Sequence, residues 1–365
     1  MSFDLRAIAT NFDILGDYIS AKPYGSGHIN DTFSAMYNQG GARVRYIVQR
    51  VNHVVFKNPV ALLQNVSRVC RHLRGKLRAA GVRDASRRAL TLVPTYSGEE
   101  WFRDDDGNYW RCYILIEGVT AYDVVGHEAQ AFAVAKAFGN FTNLLTDLGG
   151  GRLADVIPDF HNTPWRFANF QKALAADAHN RAADVRDEIA FVLAREKDCA
   201  IVTDALVRGD IPERVTHNDT KLNNVLIDEF TEAGMCVIDL DTVMPGSALY
   251  DFGDMVRTTA AAAKEDETDL SKVACRQGYF EALVRGYTES LGDSLTQTEK
   301  DLLAFSGKLM TFEVGLRFLT DYLEGDTYFK VAHPRHNLDR CRNQFAMVRS
   351  IEAQLDAMNA FVAKA

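Results

Sequence analysis

The residues best suited to chemistry stand close together near position 219. His217 and Asp219 form a His-x-Asp motif, Asn224 follows five positions after the aspartate, and Asp239 comes after a short apolar run. Phosphoryl transfer needs a carboxylate to orient and deprotonate the attacking hydroxyl, and oxygen ligands to hold Mg²⁺ against a triphosphate. Asp219 has the chemistry of that carboxylate, and Asn224 and Asp239 supply hard oxygen ligands suited to magnesium. The spacing therefore predicts a phosphoryl-transfer site.

The first third of the chain is expected to form short strands and one long helix. Five strand candidates are present: Thr32–Tyr37, Arg43–Val51, Ala89–Pro94, Glu100–Arg103 and Tyr109–Ile116. The helix is predicted from Pro59 to about Ala80, since Asn58 and Pro59 are typical of a helix start and Gly81 of its end. This pattern indicates a small antiparallel lobe.

From His127 onward, the spacing of apolar residues becomes helical. Four helices are predicted: Glu128–Leu148, Ala182–Arg208, Leu270–Leu291 and Thr298–Tyr322. Two short apolar runs, Val225–Ile227 and Met235–Leu240, interrupt them. We therefore expect an α+β, protein-kinase-like bilobal fold, with a small lobe over residues 1–117 and a mostly helical lobe over 118–365. A ligand cleft is expected between the lobes.

The composition narrows the class of protein. The 365 residues carry a formal charge of -8, which argues against a general nucleic-acid binder. The chain has no run of 18 apolar residues, so we expect no membrane partner. The start of the chain, Met1–Leu15, lacks a signal-peptide pattern, and the six cysteines are scattered. These features predict a cytoplasmic protein with reduced thiols.

The charge is unevenly distributed along the chain. The segment Thr32–Arg83 contains ten basic residues and no acidic residue. Such a segment can attract a phosphate-rich ligand, but it is also typical of a solvated basic helix face. The charge pattern therefore permits a nucleotide partner without requiring one.

The motif around Asp219 resembles the catalytic loop of protein kinases, and resembles more closely that of the aminoglycoside-phosphotransferase and choline-kinase superfamily. Val237–Asp239 is similar to the metal-binding strand of that superfamily, and Tyr250–Asp254 to the motif that follows it. The chain further resembles one family, the bacterial N-acetylhexosamine 1-kinases, which phosphorylate the anomeric hydroxyl of N-acetylglucosamine or N-acetylgalactosamine. The similar segments are Pro23–Thr32, His217–Leu226, Ile238–Gly246, Phe305–Gly307 and Gly315–Phe329.

The resemblance implies the remaining roles. Lys221 has the spacing of the kinase catalytic-loop lysine and would neutralise charge on the transferred γ-phosphoryl group. The implied substrate-binding residues are His28, Asn30, Asp219, Arg317, Asp321 and Tyr328. The implied cofactors are ATP and Mg²⁺, and the implied partner is a small sugar.

The contacts to the nucleotide are less sharply defined. Gly25, Ser26 and Gly27 precede a strand, as the kinase Gly-rich loop does, and glycines let backbone N–H groups approach phosphate closely. Glu117 and Gly118 stand where a kinase-like hinge would bind adenine through backbone groups.

One position departs from the kinase pattern. Protein kinases carry a lysine on the third strand, paired with a glutamate on the following helix. Here Gln49 occupies the lysine position and the following helix has no acid. Gln49 can hydrogen-bond to a phosphate oxygen but carries no charge. The missing positive charge could be supplied by Arg50, by another basic residue of the segment or by Mg²⁺.

Three alternatives stay open. Asp239 and Asp241 in the order D-x-D resemble the haloacid-dehalogenase phosphatases, although no regular βα alternation follows. A kinase of the same fold could act on homoserine, choline or an aminoglycoside. A kinase-like module could also bind nucleotide without turnover. The preferred epimer and the oligomeric state do not follow from the sequence.

Overall fold

An antiparallel sheet dominates the first third of the chain. The computed structural model describes residues 3–25 and 29–365. The strands are β1 (Asp17–Pro23), β2 (Asp31–Gln39), β3 (Ala42–Val51), β4 (Phe102–Arg103) and β5 (Tyr109–Ile114). Their order in the sheet is β1-β2-β3-β5-β4. The helices of this lobe are α1 (Leu5–Ala9), α2 (Pro59–Ala79) and α3 (Ala85–Arg88).

Turn and cap chemistry explains the elements that the sequence predicts correctly. The β2–β3 hairpin turns at Gly40 and Gly41, both with positive φ, and Asn38 Oδ1 accepts the Gly41 N–H. Helix α2 begins after Asn58, whose side chain accepts the backbone N–H of Ala61 at 3.1 Å. The predicted hairpin and the predicted long helix are therefore confirmed.

The strand prediction for Ala89–Pro94 is wrong. That segment forms only an isolated bridge between Leu92 and Tyr113, because it runs irregularly beside β5 and ends at a proline that has no N–H to donate. The fifth strand of the sheet is β1, which pairs with β2. The sheet has the expected number of strands, but one of them comes from a different segment.

The larger lobe is mostly helical. Its helices are α4 (Glu128–Leu144), α5 (Thr163–Ala176), α6 (Arg186–Leu193), α7 (Ile201–Arg208), α8 (Ala248–Thr259), α9 (Gln277–Leu291), α10 (Gln297–Asp301), α11 (Leu303–Leu323) and α12 (His336–Val362). Its strands are β6 (Val119–Thr120), β7 (Arg214–Thr216), β8 (Val225–Asp228), β9 (Gly234–Val237) and β10 (Met244–Gly246). Large buried side chains such as Phe138, Phe252 and Tyr287 fill the core between the helices.

All four predicted helices have different bounds, and the one predicted over Glu128–Leu148 ends already at Leu144. The segment Ala182–Arg208 breaks into α6 and α7, because Val192 packs into one hydrophobic core and Val202 into another. Helix α9 begins only at Gln277, since the preceding Cys275 forms a β-bridge with Ala261. The segment Thr298–Tyr322 divides into α10 and α11. Helices α5, α8 and α12 were not predicted.

Two small antiparallel sheets frame the predicted catalytic segment. One has the order β6-β8-β9, and the other pairs β7 with β10. A haloacid-dehalogenase phosphatase would place the strand before Asp239 in a parallel sheet, so that alternative is wrong. All six cysteines are buried free thiols. Within residues 3–25 and 29–365, no helix is long and apolar enough to cross a membrane.

Candidate active site

The loop between β7 and β8 brings Asp219, Lys221 and Asn224 together. Asp219 Oδ2 lies 3.0 Å from Lys221 Nζ and accepts a hydrogen bond from Asn224 Nδ2 at 3.2 Å. Within the described part of the chain, Asp219 Oδ1 has no hydrogen-bond partner. One carboxylate oxygen is therefore held by the protein, and the other is available to a substrate hydroxyl.

Neighbouring charges set the ionisation of this group. Partial burial opposes the charged form of Asp219, but the ammonium of Lys221 and the imidazole of His217 outweigh it and lower the pKa of the carboxyl. The same carboxylate raises the pKa of Lys221. Asp219 is therefore an ionised acceptor at neutral pH.

Asp251, near the start of α8, holds the beginning of the catalytic loop. Its carboxylate accepts the backbone N–H groups of His217 at 2.9 Å and Asn218 at 2.7 Å, and its backbone carbonyl accepts the Thr220 hydroxyl at 2.6 Å. Complete burial raises the pKa of Asp251 to about 6, although the two backbone donors favour its charged form. In the sequence, Asp251 belongs to the motif Tyr250–Asp254, but no function was predicted for it.

The backbone of the loop is held in an uncommon conformation. Asn218 has φ 64°, in the left-handed region, and its side chain donates to the carbonyl of Thr242 at 2.9 Å. A Cβ on Gly246 of β10 would lie 2.4 Å from Thr216 Oγ1 and 2.8 Å from Asn218 Oδ1. The absence of a side chain at position 246 thus lets β10 pack directly against the loop.

Asp239 follows β9 at the cleft between the lobes. Its side chain is exposed to the cleft, yet the surrounding protein and the carboxylates of Asp241 and Asp219 raise its pKa to about 7. The residue has φ 58°, and the preceding Ile238 donates its N–H to Asn224 O at 2.9 Å. Asp239 and Asn224 are therefore tied together through the backbone.

The donor set fits a magnesium ion. Asn224 uses its amide nitrogen toward Asp219, and its amide oxygen has no donor within the described residues. No group of three or more His, Cys, Asp or Glu that could hold a metal exists in that part of the chain. Mg²⁺ usually takes only one or two protein carboxylates and completes its shell with phosphates and water. Asn224 and Asp239 match this pattern.

Gln49 makes contacts different from those expected. Its side-chain oxygen accepts two hydrogen bonds from Arg111, and its side-chain nitrogen donates to Thr32 at 2.8 Å. Arg111 is 1% exposed and forms an ion pair with Asp241 at 2.5 Å. The sequence interpretation missed Arg111, although an arginine inside the apolar strand Tyr109–Ile114 was a usable signal.

The Gly-rich loop is only partly described. Gly25 has a positive φ of 80°, and a Cβ added to it would meet no described atom within 4 Å. Ser26 and Gly27, predicted to bind the nucleotide, and His28, predicted to bind the substrate, lie outside the described residues. Asn30 donates to Asp241 Oδ2 at 2.5 Å and is therefore already engaged by the protein.

The expected hinge is braced by two arginines. Arg45 forms a bidentate ion pair with the Glu117 side chain. Arg87 donates to the backbone carbonyls of Glu117 at 3.0 Å and Gly118 at 3.5 Å, and the latter also accepts the Glu229 N–H. These two carbonyls have protein partners, so a bound adenine would rely on neighbouring backbone groups.

A buried histidine connects the catalytic loop to α11. His161 Nε2 lies 3.0 Å from the carbonyl of Asn218, and its Nδ1 lies 2.9 Å from Glu313 Oε1. Burial opposes ionisation of Glu313, but His161 and the Thr163 hydroxyl lower its pKa. Both ring nitrogens of His161 therefore face acceptor oxygens and hold the ring between the catalytic loop and α11.

Arg317 lies one helical turn beyond Glu313. Its guanidinium stands 5.4 Å from the ring of Phe160, 5.8 Å from that of Tyr328 and 5.5 Å from that of Phe329. It forms no ion pair or hydrogen bond with the described residues. Phe160 in turn contacts the ring of His161, and a cavity of about 420 Å³ lies beside both residues and Asn218.

Asp321 does not pair with Arg317. Its carboxylate accepts the backbone N–H groups of Thr327 at 2.8 Å, Tyr328 at 2.7 Å and Phe329 at 3.0 Å. It therefore fixes the loop that contains Tyr328, a residue that is 60% exposed. The structure brings Arg317 and Tyr328 together, and Asp321 holds the loop that carries Tyr328.

An antiparallel β lobe over a helical lobe, with a His-x-Asp loop at their junction, defines a protein-kinase-like phosphotransferase fold. The profile of the APH phosphotransferase enzyme family matches residues 20–289. The chain belongs to this family.

Solved structures with the same fold include three enzymes. An aminoglycoside phosphotransferase from Alicyclobacillus acidocaldarius is 12% identical with a TM-score of 0.61, covering 100% of this chain and 98% of that one. A choline kinase from Cryptosporidium parvum is 13% identical with a TM-score of 0.58, covering 99% and 98%. A spectinomycin phosphotransferase in complex with ADP and spectinomycin is 11% identical with a TM-score of 0.54, covering 93% and 94%. At these identities the likeness concerns the fold.

Proposed function

We propose that this protein is an ATP-dependent kinase that phosphorylates the anomeric hydroxyl of N-acetylhexosamines. Residues 1–117 would cover the nucleotide, and residues 118–365 would carry the catalytic loop and the acceptor site. Membership of a phosphotransferase family supports the reaction class. A related fold binds ADP in the spectinomycin phosphotransferase, which supports the use of a nucleotide.

The arrangement at Asp219 supports turnover rather than nucleotide binding alone. Its free Oδ1 would accept the proton of the acceptor hydroxyl while that oxygen bonds to the γ-phosphorus. The bond from the γ-phosphorus to the β,γ-bridging oxygen breaks, and ADP leaves. Lys221 would neutralise charge on the transferred group. A pure binding module would have no need of this assembled set.

Asn224 and Asp239 would hold Mg²⁺ on the nucleotide side of the cleft. When bound, the ion would neutralise charge on the phosphates and fix their orientation. The backbone hydrogen bond from Ile238 to Asn224 would keep the two metal-binding residues, Asn224 and Asp239, close together.

Unpaired positive charge beside the catalytic loop is the observation that favours a sugar acceptor. Arg317 has no carboxylate partner in the described residues. Burial and, after it, the charge of Arg317 lower the pKa of the nearby Arg166 to about 10. Choline and aminoglycosides are cations, and the guanidinium group of Arg317 would repel them. A neutral N-acetylhexosamine offers hydroxyl and amide oxygens to Arg317 and an apolar ring face to Phe160 and Tyr328.

A panel of acceptors tests this proposal. ATP consumption would be measured with N-acetylglucosamine, N-acetylgalactosamine, glucose, galactose, homoserine, choline and an aminoglycoside. We expect the highest kcat/KM with one of the two N-acetylhexosamines. A higher kcat/KM with a cationic acceptor would refute the substrate class while leaving the kinase reaction in place.

A further inference from the structure

A buried ion pair joins the two lobes at the metal end of the cleft. Arg111 lies on β5 in the small lobe, and Asp241 lies just after β9 in the large lobe. The distance from Arg111 Nη2 to Asp241 Oδ1 is 2.5 Å, and the two side chains are 1% and 4% exposed. The pair is thus shielded from solvent on both sides.

The sheet holds Arg111 in its orientation. Gln49 stands directly opposite Arg111 in the β3–β5 register. Its Oε1 accepts hydrogen bonds from Arg111 Nε at 2.9 Å and Nη2 at 2.6 Å. The residue at the kinase lysine position therefore acts as a support for an arginine on the next strand.

Asp241 receives a second contact from the small lobe. Asn30, which immediately precedes β2, donates to Asp241 Oδ2 at 2.5 Å and accepts the Asn52 N–H at 2.9 Å. One carboxylate thus joins the end of the Gly-rich segment and β5 to the segment that carries Asp239. Only one residue separates Asp241 from Asp239.

Four other basic residues of the small lobe form ion pairs with partners elsewhere. Arg50 pairs with Asp31, Arg71 with Glu100 and Lys76 with Asp147, and Arg45 pairs with Glu117 at the hinge. Arg111 differs from them by its burial. Its Nη1 is buried and has no hydrogen-bond partner, so one donor is left over.

We infer that Arg111 and Asp241 form the positioning pair of this enzyme, which holds the small lobe on the metal-binding segment and so fixes Asp239 relative to the nucleotide phosphates. Protein kinases use their strand lysine and helix glutamate in a comparable way. A buried ion pair is costly to desolvate and is weak support for stability alone, so its presence here points to a positional task. The inference rests on the proposed phosphoryl transfer.

The test compares Arg111→Gln, Asp241→Asn, their double variant and Arg111→Lys. Arg88→Gln is the matched control, because Arg88 forms a small-lobe ion pair with Asp84 whose side chains are 42% and 37% exposed. The affinity for Mg-ADP would be measured by calorimetry, and kcat and both KM values by steady-state kinetics. Circular dichroism and thermal unfolding establish that each variant is folded.

Each single variant should weaken Mg-ADP binding and lower kcat by about tenfold or more, with the acceptor KM changed less than about threefold. In the double variant, Mg-ADP affinity and kcat should fall little further than in the more impaired single variant, because both substitutions remove the same interaction. Arg111→Lys should recover much of the loss, and Arg88→Gln should match the wild type.

Two results would overturn the inference. One is a folded Arg111→Gln variant with wild-type Mg-ADP affinity and kcat. The other is a double variant in which the fold-decreases in Mg-ADP affinity and kcat equal the product of the fold-decreases in the two single variants. If the wild type binds Mg-ADP but phosphorylates no sugar, and Arg111→Gln loses that binding, the pair is supported while the proposed acceptor fails.

Discussion

The carboxylate of Asp251 lies 2.9 Å from the backbone nitrogen of His217 and fixes the start of the catalytic loop. It also accepts the N–H of Asn218, so its removal would leave two buried donors without a partner. The loop would then no longer hold Asp219 in one position. A residue of α8 thus holds the backbone that positions Asp219.

Replacing Asp251 by alanine should therefore lower both stability and turnover. The free energy of unfolding should fall by about 1–3 kcal/mol for each orphaned N–H, measured by urea denaturation. We expect kcat to fall more than the affinity for Mg-ADP, because the loop rather than the metal segment is released. Asp251→Asn keeps one acceptor oxygen and should be intermediate. Wild-type kcat in Asp251→Ala would contradict this role.

Gly246→Ala should disturb the same loop from the opposite side. The added methyl would lie 2.4 Å from Thr216 Oγ1, so β10 or the loop must move. We expect a lower kcat and a lower unfolding temperature. Gly75→Ala is the matched control, because Gly75 lies on α2 and a Cβ added there would meet nothing within 4 Å. This substitution should stabilise the helix by about 0.5–1 kcal/mol. Equal effects of the two substitutions would argue against the packing explanation.

Mg-ADP binding should depend on pH through Asp239. In the metal-free protein, desolvation by the surrounding protein and the charges of Asp241 and Asp219 raise the pKa of Asp239 to about 7. A proton competes with the metal for this carboxylate, so affinity should rise as pH increases toward 8 and should be about tenfold weaker at pH 6. Asp219 has a lowered pKa, stays ionised over this range and should add no step.

Calorimetric titrations at pH 6, 7 and 8 would measure this dependence. Asp239→Asn should bind Mg-ADP weakly at all three values, because the titrating carboxylate has been removed. An unchanged pH dependence in that variant would assign the titration to another group.

Arg317→Met should affect the acceptor and leave the nucleotide unaffected. The guanidinium has no protein ion-pair partner in the described residues, so its charge is available to substrate oxygens. We expect the acceptor KM to rise about tenfold, with the ATP KM changed less than about twofold. Arg349→Met is the control, since Arg349 also lies over a ring, that of Phe191, but on α12 away from the site. A rise in the ATP KM alone would contradict the acceptor role.

The sequence predicts the parts of this site that follow one another along the chain. Asp219, Lys221 and Asn224 share one loop, and the strand that follows it, β8, begins with a short apolar run. Their residue types and spacing therefore define the local geometry. The β2–β3 hairpin and α2 are predicted for the same reason, since their turn and cap residues are local.

The contacts between distant segments could not be predicted. Arg111 and Asp241 are 130 positions apart by their numbers, and only the sheet register and the lobe arrangement bring them together. The role of Gln49 could therefore not be inferred from the sequence, whereas the structure shows that it accepts two hydrogen bonds from Arg111. The break between α6 and α7 has a similar origin, because the two helices pack into different cores.

The measurement that tests the central proposal most directly is phosphorus NMR of the product formed from ATP and an N-acetylhexosamine. We expect a sugar 1-phosphate, identified by coupling of its phosphorus to the anomeric proton, together with ADP. The Asp219→Asn variant should bind Mg-ADP normally and form this product at least about 100-fold more slowly. Phosphate on another hydroxyl, no sugar phosphate at all, or wild-type turnover by Asp219→Asn would contradict the account.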